Sequence, residues 1–282
     1  MSEKTKKRLV DLALLAMIIV PFLLAMALKV LYHPAAEGIS ITGALIYLTI
    51  PMPLQPLYVT EAMVNSWAVV IGICGLCLFL TRNLSVRPES RRQLLAEWIV
   101  EKVSGLVREN MGMGFIGFAP YICALLGLSA LSSLSTLIGL YAPTADISVI
   151  AGWAIVTFIL ITHYKLKAGL WSYIKGFFEP IPFFAPLNII GEVATPVSMS
   201  FRHYGNVMSG AVISTLIMAA MQGLSAKLLG WLPGSLGSFP WLQVGLPAVL
   251  SLYFDIFSGC MQAFIFAMLT MLFVATANPA ED

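Results

Sequence analysis

The chain's 282 residues are 59% hydrophobic and only 11% charged, with net charge +2 and a mean hydropathy of +0.89. Soluble domains carry about 25% charged residues, so most of this chain has lipid as its solvent. No basic stripe of the kind a nucleic-acid backbone requires is present. The four cysteines, Cys74, Cys77, Cys123 and Cys260, lie within apolar runs without partners at zinc spacing. They read as small helix-packing residues, and the sequence offers no metal or cofactor site.

A helix needs about 20 apolar residues to cross a bilayer core. Four stretches meet that length in ordinary form: Leu9–Leu31, Ala62–Thr81, Phe118–Leu140 and Ile147–Tyr164. The first admits two readings, a retained membrane helix or a cleaved leader ending near Ala35-Ala36. Its apolar run exceeds the usual core of a leader, which favours the retained helix. Between the second and third stretches, Ser85–Asn110 carries Leu94, Leu95, Trp98, Ile99, Val103, Leu106 and Val107 at helical spacing among charges. That pattern predicts an amphipathic helix lying on the membrane surface. Two longer apolar regions follow, Pro186–Met221 and Pro240–Ala277. As straight helix, some 36 residues span roughly 54 Å against a hydrocarbon core of about 30 Å, so these helices must tilt, bend or project. The fold class expected is an all-α integral membrane protein, a single membrane domain over 1–282.

The cations select an orientation. Lys4, Lys6, Lys7 and Arg8 precede the first span; Arg82, Arg87, Arg91, Arg92, Lys102 and Arg108 follow the second; Lys165, Lys167 and Lys175 follow the fourth. With six crossings and both termini in the cytoplasm, all of these lie on the cytoplasmic side. Lys29 and Lys227 then lie outside, and Arg202 lies within the membrane.

Ionisable groups inside spans are costly and mark function by default. Here they are Glu192, Arg202 and Asp255. Ser198, Arg202, Asn206 and Ser209 recur at spacings of four, four and three, which places them on one helical stripe. Gly205 and Gly210 beside it permit another helix to approach closely. In the last region Asp255, Ser258, Gly259 and Gln262 share a face. Two facing polar stripes suggest a hydrated, proton-conducting seam; a simple Arg202–Asp255 ion pair is the plainer alternative. His203 suits either a proton relay or helix packing.

These residues carry a family resemblance. "SMSFRHYGNVMSG" (Ser198–Gly210) resembles the signature of subunit a of F-type ATP synthases, which usually reads S-L-x-x-R-L-F-G-N-M-x-x-G. Pro186–Glu192 with Pro196, "MQAFIFAMLTMLF" (Met261–Phe273) and "PTADIS" (Pro143–Ser148) resemble further parts of that family. The likeness runs from about Ala62 to Ala277, so 1–61 reads as a variable N-terminal helix and external segment, and 62–282 as the core. Two departures stand out: His203-Tyr204 replace the usual Leu-Phe, and Ala211 stands where many relatives place Glu or His.

The resemblance implies a non-catalytic stator subunit of a bacterial inner-membrane ATP synthase, without a cofactor. Its implied partners are the c-subunit ring, the b-subunit peripheral stalk and the rest of the complex. Arg202 matches the arginine that faces the ring. Asn206 and Gln262 match an outer half-channel, with Asp255 standing in its acidic position, and Glu192 and Ser198 match the cytoplasmic one. His203 and Ser209 are candidate relays. A stand-alone transporter would use the same charges, but such folds commonly show internal repeats and none is visible. An intramembrane enzyme would need a nucleophile–base set or metal ligands. His33, His163 and His203 are scattered instead. A purely structural assembly subunit is the third alternative.

Overall fold

The computed structural model describes residues 3–32, 43–53, 55–86, 90–167, 169–179, 181–231, 239, 241–243 and 245–277. The expectations that fall on His33, Ala35-Ala36, Arg87 and Pro240 lie outside these residues. Six helical runs are long and apolar enough to cross a membrane, and the protein is an all-α integral membrane protein.

Helix α1 (Glu3–Tyr32) packs along α2 (Glu61–Leu80). Gly72 and Gly75 make the approach close, because a Cβ at either would meet Phe22 at 2.8 Å or Ile18 at 3.1 Å. Ion pairs fasten α1 at both ends. Asp11 meets Arg82 at 2.6 Å, and Lys29 meets Glu61 at 3.1 Å. Between the two helices lies an antiparallel hairpin that the hydropathy pattern did not reveal, β1 (Ile46–Ile50) with β2 (Leu57–Thr60). The Thr60 hydroxyl that ends it accepts from the Met63 amide and caps α2.

The amphipathic helix is α3 (Arg91–Met111), capped by Ser90 at its start and by Gly112, at φ 88°, at its end. Leu94, Leu95 and Trp98 face outward while Val107 and Met111 enter the core. Thus α3 serves both as a surface helix and as a packing element. After a 3₁₀ turn (Met113–Phe118) come α4 (Ala119–Leu134) and α5 (Ile147–Lys167). A short helix absent from the sequence reading, α6 (Leu170–Phe178), leads into α7 (Ala185–Leu229).

Helix α7 is 45 residues long, roughly 67 Å at 1.5 Å per residue. It extends beyond the expected Met221, and a helix of this length must tilt, bend or project beyond the hydrocarbon core of a bilayer. Pro196 sits within it and removes one backbone donor. Beside it the Ser200 hydroxyl donates to the Pro196 carbonyl and the Thr195 hydroxyl to that of Gly191.

The last region departs from the single long helix expected over Pro240–Ala277. It starts as α8 (Leu246–Ser251), widens into a π-helical stretch (Leu252–Ser258) and continues as α9 (Gly259–Ala277). The widened stretch falls within the polar stripe. Asp255 and Gly259 line a cavity walled in part by α7, and Gln262 meets Asn206 of the same helix.

Helix α9 is the centre of the bundle. Phe266, Ala267, Met271 and Val274 pack against Val107 and Met111 of α3, Ile122 and Leu125 of α4, Ile150 and Ala154 of α5, and Met199 of α7. With lipid as solvent, apolar burial gives little net drive to helix association, so close packing and cross-helix hydrogen bonds carry it. Thr157 lies 3.4 Å from both Tyr121 and Thr270, linking α5 to α4 and α9. Gly259 is pressed against Ser133, whose Cβ lies 2.6 Å from where its own would be.

Two sequence expectations are corrected here. Cys74, Cys77 and Cys260 are exposed on outward helix faces, and only Cys123 is half-buried; their small size permits packing but does not compel it. Gly210 does receive Phe254 at 3.1 Å, but Gly205 has nothing within 4 Å. Overpacking a tight helix contact costs typically about 1–3 kcal/mol. Gly259→Leu should therefore lower the thermal midpoint of the detergent-solubilised subunit by several degrees. Gly205→Ala should leave that midpoint unchanged in the same size-exclusion melting assay.

Candidate functional site

Arg202 lies on the outward face of α7, exposed together with Ser198, Asn206 and Ser209. Among the described residues it forms no ion pair, so the expected alternative of a buried Arg202–Asp255 bridge is not what the structure shows. A guanidinium keeps its proton at any physiological pH. In an apolar setting it demands water or an anionic partner.

Three adjoining hollows run from the α5–α6 end of the bundle to this arginine. The first, about 510 Å³, is lined by Lys165, Tyr173, Asn188, Glu192 and Thr276. The second, about 220 Å³, shares Lys165, Gly191, Glu192 and Thr276 with it. The third, about 240 Å³, shares Gly191, Thr195 and Phe273 with the second and is lined by Ser198 and Arg202. Glu192 sits where the first two meet. Lys165 Nζ holds both of its oxygens, at 2.7 and 2.8 Å, and the Tyr173 hydroxyl donates to one at 3.4 Å. Burial and the adjacent Glu192 charge push the Tyr173 hydroxyl up from its ordinary pKa, so it stays a donor. Asn188 ties the start of α7 to α6 through the Phe177 and Glu179 carbonyls.

On the other side of Arg202 along α7, Asn206 Nδ2 donates to Gln262 Oε1 at 2.7 Å. Gln262 is buried, and this bond is the polar link between α7 and α9. Beyond it opens a separate cavity of about 450 Å³, lined by Lys29, Ser133, Tyr141, Thr215 and Asp255 among others. Ala211 also faces this cavity, so a larger acidic side chain there would point into the same space as Asp255.

The two candidate relays differ in setting. His203 is buried between Trp153 and Phe266, ring centroids 6.3 and 5.6 Å away, and its Nε2 lies 3.3 Å from the Ser129 hydroxyl. It fills the α4–α5–α7–α9 junction as a packing residue. The Ser209 hydroxyl bonds back to the Asn206 carbonyl.

Several residues of the site escaped the sequence reading. Lys165 was counted only as a topological charge, and Tyr173 lay in a stretch assigned to no element. Glu61 was passed over at the margin of a span, yet it is 2% exposed, pairs with Lys29 and accepts from the Tyr141 amide at 3.2 Å. A cation near the end of one span and an acid at the start of the next was the available signal.

Comparison with known proteins now bears on these residues. Residues 63–275 match the family described as ATP synthase A chain. The chain is 31% identical over 224 residues to ATP synthase subunit a of Moorella thermoacetica, covering 79% of this chain and 92% of the relative. It is 29% identical to ATP synthase subunit a 2 of a Bradyrhizobium species, over 81% of this chain and 93% of the relative. It is likewise 29% identical to the protein named ATP synthase subunit a, sodium ion specific, of Propionigenium modestum, over 77% and 73%.

Leaving a buried amide unpartnered costs about 1–3 kcal/mol. Asn206→Leu should therefore destabilise the subunit through orphaned Gln262, whereas the double variant Asn206→Leu/Gln262→Leu should recover much of that loss. A double-mutant cycle on the thermal midpoint in detergent measures both.

Proposed function

The chain belongs to the ATP synthase A chain family, a membrane subunit of the ATP synthase engaged in ion transport, and from that premise we propose that it forms two offset half-channels with Arg202 between them. The observation that carries the reading is an exposed guanidinium, without an ion pair among the described residues, flanked by polar hollows that reach it from one side and stop short of it on the other.

In this reading a ring of c subunits sweeps its carboxylates past the exposed stripe of α7. Protons reach the ring through the cavity of Asp255 and the Asn206–Gln262 link, and neutralise a carboxylate. The neutral form can turn into lipid, while the ionised form cannot, because burying its charge in hydrocarbon is too costly. After nearly a full turn the proton leaves by the hollows of Ser198 and Glu192 into the cytoplasm. Arg202 draws the ring carboxylate into its charged form, then blocks direct passage, since it cannot itself release a proton. Each proton delivers about 2.3 kcal/mol per 100 mV, and the offset makes rotation the route by which that energy is collected. The b-subunit stalk would hold the chain against the torque, in a bacterial inner membrane with both termini cytoplasmic.

Lys165 and Tyr173 join Glu192 at the cytoplasmic mouth as the groups that fix its carboxylate. The likeness to a relative named for sodium specificity bears on which cation is carried. We assign the proton here, and the Na⁺ reading is tested beside it.

Arg202→Ala should abolish ATP-driven proton pumping in inverted membrane vesicles while the complex still assembles. Native pumping by that variant would refute the reading. Asp255→Asn should slow ATP synthesis several-fold without opening a leak. Pumping that is indifferent to Na⁺ and collapses with an uncoupler identifies the proton; pumping that requires Na⁺ replaces it.

A further inference from the structure

At the end of the bundle away from Glu192, two charged side chains meet that lie outside the family-matched residues. Lys29 comes from the last turn of α1, and Glu61 opens α2. Their ion pair is 3.1 Å long, with the Glu61 side chain 3% exposed and that of Lys29 27%. The rest of the cluster holds them rigidly. Lys29 Nζ donates to the Gly139 carbonyl at 2.7 Å, and Glu61 accepts from the Tyr141 amide while its own amide bonds the Leu45 carbonyl at 2.7 Å. Asn65 fixes the Tyr141 carbonyl at 2.8 Å. Other ionisable groups in the electrostatic neighbourhood are Tyr47 and Tyr141, whose hydroxyls sense Glu61, and Asp146 and Tyr204 beside Tyr141.

Lys29 is also part of the wall of the 450 Å³ cavity that Asp255 lines. A fixed ammonium in a narrow, low-dielectric cleft depresses the local concentration of other cations. The buried carboxylate of Glu61 cancels that field. We propose that Glu61 is a positioning residue of the outer half-channel, neutralising Lys29 so that the coupling cation can reach Asp255, and that α1 thereby forms a working part of the ion path. This inference rests on the half-channel reading above.

An ion pair that only braces α1 against α2 would suffer equally from loss of either member. The electrostatic role predicts opposite effects, and that difference is the test. The whole complex is reconstituted in liposomes and ATP synthesis is driven at a fixed potential. The cation concentration in the compartment facing the Asp255 cavity is then varied, as pH or as Na⁺ according to the coupling cation. Rates are normalised to assembled subunit by immunoblot.

Glu61→Gln should raise the concentration for half-maximal synthesis about tenfold, with the maximal rate kept within about twofold, because the ammonium is then uncompensated. Lys29→Met should lower that concentration about threefold. The double variant Lys29→Met/Glu61→Gln should return it to within about twofold of native.

A native value in Glu61→Gln, a shift of Lys29→Met in the same direction as Glu61→Gln, or a double variant no better than Glu61→Gln would each overturn the proposal. If Glu61→Gln does not accumulate, the other two variants decide, and a raised value in either overturns it. Arg202→Ala is run alongside. Synthesis by that variant would bring down the half-channel reading and this inference together. A dead Arg202→Ala with all three pair variants at the native value would remove only the role of the pair.

Discussion

A permanent positive charge carried on the outer face of an apolar helix is the constraint around which the molecule is built. Arg202 cannot shed its proton, and no described acid of the chain neutralises it. Such a charge persists in a membrane only where water or a foreign anion meets it. The surrounding structure leaves space for either. The hollow of Ser198 and Thr195 reaches the arginine from one direction, and the open surface at Gly205, with nothing within 4 Å, leaves room for another backbone to pass. Close packing is instead reserved for the opposite face, where His203 and Met199 are buried.

The length of α7 follows from the same constraint. A helix that crossed the bilayer upright would expose Arg202 to a partner over a few residues only. At 45 residues, α7 carries a long lateral stripe and keeps Glu192 and Thr215 at separate hollows. The core answers this geometry. Helix α9 carries most of the tight packing, through Phe266, Met271 and Val274, so that α7 can give up burial on one side. Cross-helix bonds of Thr157 and Gln262 replace the hydrophobic gain that lipid withholds.

Much of this was legible in residues alone. Spans were readable because twenty apolar residues in a row have few other uses, and the stripe of Ser198, Arg202 and Asn206 was readable because helical spacing is rigid. Tertiary facts were not. The spacing of His203 from Arg202 says which way it turns, but not that Trp153 and Phe266 wait there. Lys165 lies 27 residues from Glu192 in sequence and reaches it only because α5, α6 and α7 fold back together. The hairpin β1–β2 hid in a segment whose apolar residues also suit a membrane-facing loop. Glu61 hid because an acid at the head of a helix is usually explained by the helix dipole alone.

A π-helical stretch, which helical spacing in the sequence does not reveal, interrupts the last helix at the point of greatest interest. Leu252–Ser258 widens the helix just before the tight contact of Gly259 with Ser133. Such insertions cost backbone geometry and tend to survive at functional sites. Two polar demands meet along this segment. Below it, Gln262 must point inward to close the bond with Asn206, since a buried amide without a partner is expensive. Within it, Asp255 lines the cavity shared with Lys29 and Tyr141. The α7–α9 contact and the polar cavity thus sit within two turns of each other, both against α7.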